Sequence, residues 1–500
     1  MRKEYHLCHP VRRVARRSPL LPIFLIVLVD VLGFTIVIPL LAFYAEKFGA
    51  SPLVATTLVS VYAACSLIST PIIGNLSDRY GRRPLLLVSQ AGTCLGFLML
   101  AYSSALWMVF VGRILDGITA GNLSLAQAYI SDHTEPKDRA KAFGVIGVAF
   151  GVGFTFGPGL GGVLSKAYGP HMPFIVAACL SALSIFATYT LLREDEKPAE
   201  APATTAGPQG PGGKRPGAFD LATYLEYFRR PGLGTLYVQF FLFAFAFSCF
   251  MSNFALFSER RFTVAHAVAH VAGTCNVHTD DKLELPGARR GTLKLGDEKL
   301  VYDKDWVITN ETTIEVRGAT CARLDAAKLT GKFPWSAHEV GLLFVFSGVL
   351  GIFLQGGLLG RLVRKFGEPK LVILGFISAA IGYALIGFTY SLAMLLVCAV
   401  LNSFGNGVLR PALTSQITQV AGRAEQGVAI GISGSLSSLA MMMAPPAGGS
   451  LLNREWLIAW AMVPATVAAL GLVAALVSRK RSVAATPASA PPTDKLSSAP

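Results

Sequence analysis

Gly74-Asn-Leu-Ser-Asp-Arg-Tyr-Gly81 and Gly360-Arg-Leu-Val-Arg-Lys-Phe-Gly367 are two versions of one phrase, the second beginning 286 residues after the first. Each follows a long apolar run, and each is bounded by glycines that permit a tight turn. A second phrase repeats at nearly the same distance. Gly157-Pro158-Gly159-Leu160-Gly161-Gly162 returns as Ala444-Pro445-Pro446-Ala447-Gly448-Gly449, an offset of 287. Two independent matches at nearly one offset mark a duplicated architecture.

The runs between these phrases are long enough to span a bilayer, which takes ~20 residues per helix. They are apolar all round, unlike the one-sided stripe of a helix on a soluble protein. The chain of 500 residues is 52% hydrophobic and 15% charged, against roughly 25% charged for soluble domains. The pattern predicts twelve spans, over 20–42, 53–74, 84–103, 105–131, 139–164, 171–192, 233–257, 339–360, 370–389, 391–419, 426–451 and 456–478. The run after the basic N-terminus is too long for a signal peptide and is read as the first helix.

The net charge of +14 is distributed by loop. Arg12, Arg13, Arg16 and Arg17 precede the first span. Arg79, Arg82 and Arg83, then Lys137, Arg139 and Lys141, Arg229 and Arg230, Arg364, Lys365 and Lys370, and Arg479, Lys480 and Arg481 follow on alternate loops. The intervening short loops hold only Lys47, Lys166 and Arg454. Basic loops stay on the cytoplasmic side, so both termini are expected inside the cell. The charge belongs to topology, and no nucleic-acid partner is expected.

The expected organisation is a basic N-terminus (1–19), a six-helix bundle (20–192), a flexible Pro/Gly/Ala-rich linker (193–232), a second bundle (233–478) and a disordered tail (479–500). The end of span one, Leu41-Ala-Phe-Tyr-Ala-Glu46, resembles the end of span seven, Phe254-Ala-Leu-Phe-Ser-Glu259, at an offset of only 213. The jump to 286 means that about 73 residues, 262–334, are inserted between spans seven and eight. Within them Thr292–Leu295, Lys299–Tyr302, Trp306–Ile308 and Thr313–Val316 read as strands separated by turns. A small, mostly β extracytoplasmic domain is expected there. Cys275 and Cys321 are either a disulfide, if that compartment is oxidising, or two free thiols. Cys65, Cys94, Cys179, Cys249 and Cys398 sit in apolar runs as small hydrophobes, and no C-x-x-C pair implies a metal.

Gly74–Pro84, read as G-x-L-S-D-R-x-G-R-R-P, resembles the loop between helices two and three of the major facilitator superfamily. The resemblance implies an all-α polytopic membrane protein, two six-helix bundles (6+6), with a cytoplasmic gate built from Gly74, Asp78, Arg79, Gly81, Arg82 and Arg83. Asp132, at the end of span four, is the expected partner for Arg82. Gly144, Gly153, Gly157, Pro158, Gly161 and Gly162 in span five resemble the motif that marks drug/proton antiporters within that superfamily. Small residues at such spacing let helices approach closely, and a proline kinks the helix.

Asp30, in mid-span one, costs ~2.5–3.5 kcal/mol to insert and is a functional candidate for that reason. Arg113 and Asp116 lie three apart on one face of span four. These three residues are the candidates for proton and substrate coupling. Arg410 is the deep charge of the second half, with Gln355, Asn402 and Asn406 as candidate cavity residues beside it. Spans one to six resemble tetracycline exporters, notably at Arg82-Arg-Pro-Leu-Leu-Leu and Ser104-Ala-Leu-Trp-Met. One departure is Gly96, where those exporters carry a carboxylate, so tetracycline is not expected as substrate.

The reading is a proton-coupled antiporter, exporting small amphipathic compounds from the cell through an inner membrane by alternating access. It would need no cofactor beyond the proton gradient. Its expected partners are a small-molecule substrate, protons and the lipid bilayer, and it would act as a monomer. Two alternatives stand beside it: a metabolite facilitator or symporter, and a membrane sensor whose insertion binds a ligand. No metal-ligand helix, nucleophile elbow or phosphate loop points to an enzyme.

Overall fold

The computed structural model describes residues 20–133, 139–192, 221–266, 268–270, 274–279, 290–295, 298–310, 313–317, 321, 329–422 and 425–484. Its first half comprises α1 (Leu20–Lys47), α2 (Pro52–Tyr80), α3 (Arg82–Ala101), α4 (Leu106–Ile118), α5 (Asn122–His133), α6 (Arg139–Tyr168) and α7 (Met172–Leu191). A short helix, α8 (Leu221–Arg229), leads into the second half. That half has α9 (Leu233–Arg261), α10 (Ala337–Phe353), a π-helical turn (Leu354–Leu358), α11 (Leu359–Phe366), α12 (Glu368–Gly387), α13 (Leu392–Ala421), α14 (Gln426–Asn453) and α15 (Leu457–Ala484). Among the described residues, eleven helices are long and apolar enough to cross a membrane, α10 through α11 counting as one. The expected fourth span is present as the pair α4 and α5.

The break in that span is satisfied by its neighbours. Ser69 Oγ donates to the Gly117 carbonyl at 2.7 Å, and Thr70 Oγ1 donates to the Ala120 carbonyl at 2.9 Å. Ser89 Oγ donates to the Thr119 carbonyl and accepts from the Gly121 N–H at 3.0 Å. Three hydroxyls from α2 and α3 thus replace the helical bonds that the chain gives up. Inside a bilayer, non-helical backbone persists only when its polar groups find such partners.

Two expectations on organisation change. The segment 193–232 contains an ordered piece, because Tyr227 of α8 is buried and Arg230 pairs with Glu425. The guanidinium of Arg230 also stacks 4.4 Å from the Tyr227 ring. Residues 193–220 lie outside the described residues. The last helix runs past Ser478 to Ala484, so the start of the expected tail is helical. Residues 1–19 and 485–500 are also outside the described residues.

The two halves carry the same turn. Gly81 (φ +94°) separates α2 from α3, and Gly367 (φ +74°) separates α11 from α12. Both sit in the left-handed region that glycine enters without a Cβ penalty. This is the physical content of the repeated phrase.

The insertion is a sheet domain. Its strands are β1 (Thr263–His266), β2 (Val268–His270), β3 (Asn276–Thr279), β4 (Thr292–Leu295), β5 (Glu298–Leu300), β6 (Trp306–Asn310), β7 (Thr313–Val316) and β8 (Leu329–Pro334). They form two antiparallel four-stranded sheets, ordered β1-β8-β4-β5 and β2-β3-β7-β6. Trp306, Phe333, Val277, Leu293 and Ile314 are buried between them. Cys275 and Cys321 form a disulfide, with Cα atoms 5.3 Å apart. The domain joins the bundle through a tight junction. Thr263 pairs with Pro334, and the Trp335 N–H donates to the Phe262 carbonyl at 3.1 Å.

Candidate functional site

The break between α4 and α5 brings Asn122 to the head of α5, where its Nδ2 donates to Asp30 Oδ1 at 2.6 Å. Arg113 and Asp116, one helical turn apart on α4, form an ion pair at 3.0 Å with both side chains almost fully buried. Tyr62 and Phe97 lie against the guanidinium, their ring centroids 5.6 and 5.8 Å away. The pair is close in distance, but its Arg113 Nη2 and Asp116 Oδ2 make no well-aligned hydrogen bond among the described residues. Arg113 Nε, also buried, has no hydrogen-bond partner among the described residues. The half-buried Asp30 and the buried Asn122, Arg113 and Asp116 form a polar cluster inside the first half.

Gly96 belongs to this cluster by what it lacks. A Cβ there would stand 3.0 Å from both the Asp116 Cβ and the Gly112 carbonyl. A side chain on α3 at this point would require α4 to give way by a few tenths of an ångström. The carboxylate at this crossing comes from α4 as Asp116.

In the loop motif, Arg82 pairs with Asp78 at 2.6 Å, four residues back. Arg83 donates to the Tyr189 carbonyl at 2.6 Å and lies over the Tyr189 ring, tying the loop to α7. Arg79 is exposed, and Gly74 has open space around it. Asp132 and Gly144 are in α5 and α6, but their side-chain surroundings lie outside the described residues.

The glycines of α6 divide between two faces. On one, a Cβ at Gly153 would meet Val31, one at Gly157 would meet Thr35, and one at Gly161 would meet Leu40 and the Ile36 carbonyl. This face seats α1, and Thr35 Oγ1 donates to the Gly153 carbonyl at 2.9 Å. On the other, a Cβ at Gly162 would stand 2.6 Å from the Ala337 carbonyl, and one at Gly159 would meet Val345. This face seats α10 of the second half. Pro158 shares the second contact, because its carbonyl lies 2.7 Å from where a Cβ on Gly341 would be. At the same end of the molecule, Gly449 of α14 closes on Thr56 of α2.

An ion network at that end was not foreseen from sequence. Arg260 pairs with Glu46 of the first half at 2.7 Å and with Glu259 at 3.0 Å, all three side chains being buried. The signal was present, since the offset of 213 had already placed Glu46 and Glu259 at equivalent helix ends. The halves are thus held together at the end that carries the insertion.

Towards the Gly367 end they enclose a cavity of ≈850 Å³ between α6 and the helices of the second half. Gln355, Asn402, Asn406 and Arg410 all line it. Asn402, Asn406 and Arg410 follow at intervals of four on one face of α13. Gln355 comes from the π-helical turn, a feature frequent at functional sites. Asp30, Arg113 and Asp116 are not among its lining residues. The phenylalanines of α6 and α9 supply much of the wall. Sequence reading missed them, although Phe240 to Phe254 is a conspicuously aromatic run.

Two repeated bundles, the loop motif at Gly81 and the glycine-faced α6 all agree with one known family. Its model, described as Major Facilitator Superfamily, matches residues 23–274 and 318–499. The chain belongs to the major facilitator superfamily. It is a multi-pass membrane protein, and the gap in the family match falls inside the inserted domain. The tetracycline resistance protein, class B, of Escherichia coli is 26% identical over 424 residues, 84% of this chain and 85% of that one. Multidrug resistance protein 2 of Bacillus subtilis (strain 168) is 23% identical over 443 residues, 86% and 89% of the two chains. Among solved structures, the human organic anion transporter MFSD10 (TETRAN) is similar in fold at 21% identity. The likeness has a TM-score of 0.59 and covers 91% of this chain and 98% of that one. Resemblance to tetracycline and multidrug resistance proteins thus extends through both halves of this major facilitator transporter.

Proposed function

We propose that this transporter exports small amphipathic compounds in exchange for protons, by alternating access. The observation that carries the reading is Asp30: a carboxyl in mid-membrane, held by Asn122 and within electrostatic reach of Asp116. A carboxyl kept at that depth suits proton binding and release. The cavity, whose largely apolar wall includes a cluster of phenylalanines, suits an amphipathic substrate. The resistance proteins that resemble this chain make export the natural direction.

The basic loops favour a cytoplasmic Gly81 and Gly367 end and an inserted domain outside, with both termini on the cytoplasmic side of a cell inner membrane. The present arrangement, closed at the insertion end, is then the one that receives substrate from the cytoplasm or inner leaflet. Proton uptake on Asp30 from outside follows substrate release and permits the return. Flux in proteoliposomes under an imposed pH gradient tests this. Substrate should move against its own gradient towards the acidic side, with protons moving the other way. Movement with protons, or indifference to the gradient, would overturn the reading.

A further inference from the structure

We propose that the cavity is specific for amphipathic organic anions, with Arg410 as the residue that binds the anionic group. This rests on the reading of the cavity as the place where substrate binds. Arg410 is the one charged residue among those lining the cavity, and its side chain is exposed to that space. Among the described residues it makes no ion pair. Its described close neighbour is the Phe150 ring of α6, with centroid 5.9 Å from the guanidinium.

A fixed positive charge beside apolar walls attracts an anion more strongly than one in open water, because the walls lower the effective dielectric around it. Guanidinium offers a planar fork of donors that matches carboxylate, sulfonate or phosphate. The groups around Arg410 complete a recognisable site. Phe150, Phe154, Phe243, Phe247, Phe250 and Phe254 line the same space and suit an aromatic or aliphatic body. On the face of α13 that carries Arg410, Asn402 is buried and packs on α12, where a Cβ on Gly382 would stand 2.6 Å from its Oδ1. Asn406 accepts from the Tyr383 hydroxyl at 3.1 Å, which leaves its amide N–H groups to donate. The polar groups that face the cavity are therefore donors or neutral, and none of its lining side chains is a carboxylate.

The position of Arg410 also gives the anion a mechanical role. Phe150 belongs to the first half and Arg410 to the second, so a bound anion with an aromatic body contacts both. Asp30 and Asp116 of the first half are not among the residues that line the cavity.

The test uses naphthalene-2-sulfonate and trimethyl(2-naphthyl)ammonium, one aromatic body with opposite charges, titrated calorimetrically against the full chain in detergent. The sulfonate should bind and the ammonium should bind at least ~10-fold more weakly, as expected for a charge-assisted contact. Arg410→Gln should weaken sulfonate binding by roughly 10- to 100-fold and leave the ammonium within about 3-fold. Arg410→Lys should retain most of the sulfonate affinity. Phe150→Glu, which puts a carboxylate opposite Arg410, should remove sulfonate binding without touching the arginine, and serves if Arg410→Gln fails to fold. Preference for the ammonium, binding of neither ligand, or unchanged sulfonate affinity in monodisperse Arg410→Gln would overturn the proposal. Flux separates it from the transport reading. Sulfonate that binds but is not carried into proteoliposomes sinks transport and leaves the site. Ammonium that is carried while sulfonate does not bind sinks the site and leaves transport.

Discussion

The two halves share a backbone and disagree about charge. Gly81 and Gly367 make the same positive-φ turn, but Asp78 and Arg82 flank the first while Arg364 and Glu368 flank the second, in reversed order. In the first half Arg82 pairs with Asp78 and also donates to Ser77 Oγ, within its own turn. In the second, Glu368 accepts from Ser415 Oγ at 2.7 Å and from Gln419 Nε2 at 3.1 Å, binding the end of α13. The same division runs through the interior. The first half holds the polar cluster of Asp30, Asn122, Arg113 and Asp116, and the second holds Arg410 and most of the cavity wall. Duplication kept the turn, which only the backbone needs, and left side-chain chemistry free to diverge. The helix common to both is α6, which seats α1 through its glycines and lines the cavity from Val148 to Thr155.

Breaking this division should hurt most at Asp30. Asp30→Asn keeps the shape and an acceptor oxygen but removes the titratable carboxyl. Proton-coupled efflux in vesicles should fall to background while membrane insertion is unchanged, whereas Asn406→Ala should keep its response to the pH gradient. Equal loss of coupling in both would show that the halves are not divided in this way.

Next in size is the connection through α6. Gly157→Val would drive a side chain into Thr35 and Ile36, so thermal stability should drop by ~1–3 kcal/mol, the usual cost of overpacking, with efflux reduced further. Gly151→Ala, on the same helix with nothing within 4 Å, should change stability by no more than about 0.5 kcal/mol. A similar loss in the two variants would remove α6 as the connection.

Exchanging the loop charges sharpens the comparison at smaller cost. Asp78→Arg with Arg82→Glu gives the first half the order found in the second. Transport should slow severalfold, while stability changes by less than about 1 kcal/mol, as for a partly exposed pair. Full transport would mean that charge order at the two turns is interchangeable.

The smallest effect on transport is expected in the insertion. Replacing Cys275 and Cys321 together by serine opens a loop closed over a sequence separation of 46, worth about 4 kcal/mol on chain-entropy grounds. The sheet domain should melt earlier by calorimetry while efflux holds. A parallel loss of efflux would make the domain part of the transport cycle.

Much of this was legible in the sequence. The fold came from run lengths and from the offset between repeated phrases, which survive because membrane span and turn geometry constrain them. The inserted β domain was legible by the same offset, and β4 and β7 by alternation. The pairing of β1 with β8 was not, because strand partners far apart in sequence leave no local mark. In the site, the spacing of Arg113 and Asp116 announced a pair, since three residues is one helical turn. Asn122 was invisible: its value to Asp30 depends on a break in span four that hydropathy reads as continuous. Arg260 was missed because it sits at a helix end, where arginines are ordinary. The charge of Arg410 could be read directly, but the emptiness around it could not.

The junction of the sheet domain with the bundle has a practical consequence. Both of its chain crossings are short, Thr263 pairs with Pro334, and Arg261 donates to the Gly387 and Thr389 carbonyls at 2.7 and 2.9 Å. The paired strands fix where the domain leaves the bundle, and Arg261 anchors the end of α9 beneath it. The domain therefore offers a natural fiducial for single-particle imaging, a feature that projects from a detergent belt otherwise almost featureless to the eye of the microscope. Its angle against the belt would report the tilt of the second half in every particle.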